Sequence, residues 1–360
     1  MKINRLIFSI AVIALISSVT ACDDPPDNKI QDDGNAEGPD YENIGMDGTP
    51  DKPFKVYNER TLRRVGTGYS GTWALFACYE QTADIVLPGG SNWTAIGNSN
   101  SYFTGTYDGR GHTISNLTVN AAAANYQGMF GYITNSATVK NVGIINGNVR
   151  GSHNTGGVVG LNNGGTVQNC YFSGSVTGGN STGGVVGFNT GKIQNCYSKG
   201  SVTVSISGEV GGVAGDNGNS GTVQNCYSTA SVSGGAADAG GVVGFNAGTV
   251  QNCAALNPSV TISQSGSNIG RVAGKYNSGT LAKNYAHSSM ILKDNWNGNE
   301  KSPVNNAAGA DGESISTGQY NNEAWWENAG NWKTDGGASA WDFVNIWEWD
   351  SAAGLPILKK

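Results

Sequence analysis

The chain has 360 residues, of which 55 are glycine and only 13% are charged, and its formal net charge is -6. That composition favours turn-rich β structure over helical bundles. The charge is uneven: residues 23–52 carry ten Asp and Glu against Lys29 and Lys52, while residues 53–360 balance at 17 acidic and 17 basic. With no basic patch or stripe, nucleic acid is excluded as a partner.

Taken in chain order, Lys2 and Arg5 precede the apolar run LIFSIAVIALISSV, too short for a comfortable membrane span and laid out as a secretory signal. The following VTAC is similar to a bacterial lipobox, which implies a signal over 1–21 and an acylated Cys22 as lipid anchor. The expected location is therefore exported and lipid-anchored to a bacterial membrane, at the outer membrane or cell surface. Residues 22–52, acidic and carrying prolines at 25, 26, 39 and 50, lack apolar periodicity and read as an extended tether.

Residues 53–125 are expected to hold an N-terminal cap and the first coils; Leu62 and Val65 in NERTLRRVG (58–66) have the spacing of a short covering helix. Over 126–290 a repeat takes over. GGVVG at 156, GGVVG at 183, GGVAG at 211, GGVVG at 240 and GRVAG at 270 recur at steps of 27 to 30 residues, with a weaker QGMFG at 127. Each unit offers three apolar pieces, GVVG, VQNC and SVT, so three short strands per coil are predicted. Leucine is too scarce for a leucine-rich repeat, Asp is too scarce for calcium-binding nonapeptides, and the period is too short for a propeller blade. A β-helix with terminal caps remains, its coils stacking at about 4.8 Å.

What each position tolerates predicts its direction. Val158 is Val again at 185, 213, 242 and 272 and faces in; Leu161 becomes Phe188, Asp216, Phe245 and Lys275 and faces out. In VQNC both the first residue and the cysteines Cys170, Cys196, Cys226 and Cys253 are expected inside. Residues three apart share no face of a straight strand, so Asn169, Asn195, Asn225 and Asn252 are read as a left-handed corner and a stacked ladder. The four cysteines lie in a line, one per coil, which suits buried thiols better than a metal site.

The pattern at Gly183–Val202, with FTGTYDGRGHTISNLTV (103–119) before it and WDFVNIWEWDSAAGLPILK (341–359) at the end, resembles the GLUG-motif repeat of bacterial surface lipoproteins and adhesins. The resemblance implies a right-handed parallel β-helix on an exported protein. Some relatives are immunoglobulin A peptidases with an HExxH zinc helix; here His112, His153 and His287 stand in no such setting. A glycosidase or polysaccharide lyase would need converging charged groups, and Glu209, Asp216, Asp238, Lys192, Lys199, Arg271, Lys275 and Lys283 fall at different repeat positions. Asp108 and His112 in YDGRGH read as a turn.

Of the nine Trp, seven lie between 296 and 349, and residues 291–360 are expected to be Trp-rich coils and a cap on the terminal core. The expected function is that of a non-catalytic adhesion or ligand-binding module, a monomer without cofactor or metal, that presents a β-helix face to an extended glycan or surface protein. A carbohydrate-active β-helix enzyme and a structural envelope spacer are the alternatives. Candidate contact residues are the outward row Tyr171, Tyr197 and Tyr227, with Trp325 and Trp326 at the cap side; the small-residue turns of variable length, such as TVSISGEVGG (203–212), form a second candidate.

Overall fold

The computed structural model describes residues 40–205, 208–235, 237–264, 267–332 and 341–360. The expected signal, Cys22 and most of the tether lie outside them. Contacts divide the chain at Gly45, so residues 40–45, which include a 3-10 turn at Tyr41–Asn43, are described apart from the unit that begins at Met46. That unit starts earlier than the expected boundary at residue 52. The Lys52 carbonyl accepts from the amides of Asp47 and Gly48, and the Gly48 carbonyl accepts from Cys78 N.

The unit is a parallel β-solenoid. Each full coil runs through four sheets, which we number in the order a coil visits them. In the coil that begins at Gly151 these are sheet I (Thr155–Gly156), sheet II (Val159–Asn163), sheet III (Thr166–Gln168) and sheet IV (Tyr171–Gly178). Sheet III has nine strands, one per coil, from Phe54–Val56 to Thr280–Ala282. The three expected pieces are present; the fourth is a strand of two or three residues just before the inward valine.

Identical residues stack on one another, as in Val167↔Ile193↔Val223↔Val250. Val158, Val185, Val213, Val242 and Val272 are all fully buried, and so are the four ladder cysteines, whose thiols are free. Burial pushes the thiols of Cys170, Cys196 and Cys226 well up, which makes them inert apolar fillers. At the corner, Asn169, Asn195, Asn225 and Asn252 have φ of 52° to 55°. Asn is among the few side chains that accept this conformation readily.

One glycine position explains how tightly the coils fit. A Cβ on Gly184 would lie 2.1 Å from the Gly212 carbonyl oxygen, and one on Gly212 would lie 2.1 Å from that of Gly241. The rule lapses where no further repeat follows. The equivalent residue of the last unit is Arg271, whose buried guanidinium donates from Nε to the Asp311 carbonyl at 2.9 Å and from Nη1 to Ser314 Oγ at 2.9 Å. The change from GGVVG to GRVAG thus marks the end of the stack. At the other end α1 (Glu59–Arg64) buries Leu62 completely, and Asn58 caps it by accepting from Thr61 N at 2.9 Å.

The Trp-rich segment departs from the expected axial cap. Trp326, Trp332, Trp341, Trp347 and Leu355 join Tyr197, Tyr227, Ala254, Leu256 and Tyr285 in a second hydrophobic core, built against the outer side of sheet IV. The axial end is closed instead by the chain around Asp311.

Candidate binding face

Sheet IV places the three predicted tyrosines in a row. The rings of Tyr171 and Tyr197 stack with centroids 4.7 Å apart, and those of Tyr197 and Tyr227 at 4.8 Å. The row is nevertheless unavailable to a ligand. Tyr197 is 4% exposed and Tyr227 fully buried beneath Trp341 and Trp347, and the Tyr227 hydroxyl donates to the Pro356 carbonyl at 2.8 Å. Only Tyr171, at the edge, is partly exposed. Trp326 is fully buried as well, with its indole N–H donating to the Tyr320 carbonyl, and Trp325 lies edge-on to Tyr285 and Trp332. Tyr197, Tyr227 and Trp326 are therefore corrected from contact surface to interior, while Tyr171 and Trp325 stay half-buried at the margin of the same cluster: burying large aromatic area against one another stabilises the fold more than solvent contact would.

The polar ladders are equally structural. Asn195 Nδ2 donates to Asn169 Oδ1 at 3.0 Å and Asn225 Nδ2 to Asn195 Oδ1 at 3.2 Å; the chain of amides continues from Asn169 through Asn141 to Asp108. Asp108 ends the strand Thr106–Asp108, accepts from Arg110 N at 2.9 Å in the turn that follows, and pairs with Lys140 at 3.2 Å. A second ladder, unforeseen, runs through the core: Asn162, Asn189, Asn217 and Asn246 are fully buried and linked Nδ2 to Oδ1 at 2.8 Å at each step. Its signal was an Asn kept through four successive units beside a position that varies; the ladder ends where the register gives Ile133 and Tyr276.

That variable position builds the uncovered face. Along sheet II the outward residues align as Tyr132↔Leu161↔Phe188↔Asp216↔Phe245↔Lys275. Leu161, Phe188 and Phe245 belong to neither hydrophobic core and are partly exposed. Tyr102, 47% exposed, and Tyr126 lie against Tyr132 with ring centroids 5.7 and 5.5 Å away. Beside the row run uncharged groups: Asn163 donates to the Tyr132 hydroxyl at 3.2 Å, and Thr190 to Asn163 Oδ1 at 3.2 Å. Beyond Tyr102 an open groove of about 500 Å3 is lined by Leu75, Trp93, Ile96, Asn98 and Ser101 among others.

Carboxylates expected to be scattered meet on this face. Glu209 and Asp238 are neighbours across sheet I, and both act electrostatically on Asp216 of sheet II. Burial first, then those two charges, push the Asp216 carboxyl up to about 7, and its Oδ1 has no hydrogen-bond partner. Glu209 accepts from Ser181 Oγ at 3.2 Å and Asp238 from Asn268 Nδ2 at 2.6 Å. Among the described residues no group of three or more His, Cys, Asp or Glu is placed to hold a metal ion, and no helix is long and apolar enough to cross a membrane. The variable turns lie partly outside the described residues.

The GLUG motif matches residues 151–177 and 178–203. Halomucin of Haloquadratum walsbyi is 33% identical over 128 residues, 34% of this chain and 1% of halomucin. A protein of Evansella cellulosilytica named "Putative Gly-rich membrane protein" is 29% identical over 136 residues, 35% of this chain and 15% of that protein. The match thus spans a small part of each relative. A crystal structure from Bacteroides ovatus, described as "a putative immunoglobulin A1 protease", shares the fold with a TM-score of 0.66 at 24% identity, covering 87% of this chain and 94% of that one.

Proposed function

We propose that this chain, in which GLUG repeats build part of the solenoid, is a surface-exposed, non-catalytic binding module whose contact face is the outer side of sheet II. The observation that carries the reading is the row from Tyr102 and Tyr132 to Phe245, aromatic and aliphatic except at Asp216, that neither core includes. A rigid row with one side chain per coil offers an extended partner many weak contacts in register. The location at a bacterial membrane or cell surface, with Cys22 as the lipid anchor, belongs to the same proposal; the name of the Evansella protein is in keeping with it. Beads coated with the full chain should attach to the cognate surface. Replacing Tyr102 and Tyr132 by Ser should weaken attachment at unchanged melting temperature, and undiminished attachment would sink the choice of face.

One observation favours a second reading, glycoside hydrolysis. A carboxyl poised near neutrality beside two others is the pairing that general acid catalysis uses. Release of new reducing ends from a polysaccharide by the wild type, abolished in Asp216→Asn, would establish it in place of the binding module.

A further inference from the structure

We infer that the segment Phe188–Asp216–Phe245 of sheet II is a subsite for a neutral, extended polysaccharide, the two rings stacking on sugar faces and the carboxyl group between them bonding to hydroxyls. The inference rests on sheet II being the contact face and adds to it the ligand class and the place where the ligand is held.

Phe188 and Phe245 are each register neighbours of Asp216, so they stand two coils apart, about 10 Å in a parallel stack. That is roughly the length of two pyranose rings in an extended chain, and it sets a linkage and its flanking hydroxyls over Asp216. The middle position is the only one in the row where an acid replaces an apolar side chain; its Oδ1 is buried without a partner, so in this half-buried carboxyl the contact with a ligand falls to Oδ2. Sugar hydroxyls both donate and accept, so they satisfy this group whether or not it holds a proton.

Charge selects against the alternatives. Glu209, Asp216 and Asp238 lie near one another here and repel a polyanion; the row has one cation, Lys275, beside Phe245, against these three acids. A basic peptide would need acids at intervals along the face. From Tyr102 to Phe188 the face instead offers rings, an aliphatic side chain, Asn163 and Thr190. Uncharged hydroxyl-bearing polymers match both halves.

The test is retention of soluble polymers by immobilised full chain: neutral β-glucan, xylan and mannan, with alginate and oligolysine as charged comparisons. At least one neutral polymer should be retained, and the double variant Phe188→Ala/Phe245→Ala should weaken that retention tenfold or more. Phe188→Tyr/Phe245→Tyr, which keeps both rings, should restore it. Asp216→Leu should weaken it several-fold while Asp216→Asn does not, with melting temperature recorded for every variant. Retention of alginate or oligolysine in place of the neutral polymers would overturn the inference. So would retention of none, or neutral retention that ignores both ring removals in a folded variant. If the Tyr102→Ser/Tyr132→Ser protein loses attachment while the Phe variants do not, the contact face stands and the subsite falls.

Discussion

Sheets II and IV both carry a row of large side chains from successive coils pointing away from the solenoid axis, and the two rows end in opposite environments. On sheet IV, Tyr197 and Tyr227 are sealed under Trp341 and Trp347. On sheet II, Phe188 and Phe245 have nothing laid over them by either core. The repeat fixes direction only. Whether an outward ring becomes surface or interior is decided by chain outside the repeat, here residues 316–332 and 341–360 laid along sheet IV.

The comparison breaks most visibly in stability. Tyr227→Ser removes a fully buried ring and its bond to Pro356 and should cost about 3–5 kcal/mol, whereas Phe188→Ser should cost about 1 kcal/mol or less. Denaturant unfolding of the two variants gives the contrast; equal losses would mean that the rows do not differ in burial.

Acidity sharpens the comparison on sheet II. The folded-state carboxyl of Asp216 is raised above its unfolded value, so the fold binds a proton more tightly than the unfolded chain does. Stability should therefore fall as pH rises from about 4 to about 7 and level off above that. Asp216→Asn should remove this slope and stabilise the protein above pH 7, on the order of 2–3 kcal/mol after allowance for partial exposure, with little effect near pH 4. Thermal melts across that range test it.

Inside the solenoid, Asn189→Ala should cost about 2 kcal/mol, because it leaves the buried Oδ1 of Asn217 without its donor and takes from Asn162 Nδ2 one of its two acceptors. Asn225→Ala at the corner loses one amide bond to Asn195 and puts Ala at a φ of 53°, for about 1–2 kcal/mol. The smallest effect is chemical. Of the five described cysteines only Cys78 is partly exposed, so it alone among them should react with a thiol reagent in the native protein.

Much of this was legible in the sequence because a repeat compares one position with itself. Invariant Val158 against variable Leu161 gave their directions, and Asn before Cys gave the corner. The cover on sheet IV was not legible: Tyr227 and Pro356 lie 129 residues apart, and nothing in the Tyr row itself announces a lid. The carboxylates were misread as scattered because Glu209 and Asp238 occupy one repeat position and Asp216 another, which the bend between sheets I and II brings together. The buried Asn ladder was not legible, because an Asn that recurs beside Gly in a repeat reads equally well as a turn residue.

The most direct measurement is oxidative footprinting of the native full chain, read ring by ring. Phe188, Phe245 and Tyr102 should be modified, Tyr197 and Tyr227 should stay protected until the protein unfolds, and a bound neutral polysaccharide should protect Phe188 and Phe245. Modification of Tyr197 and Tyr227 in the native state at the rate of Phe188 would contradict the account.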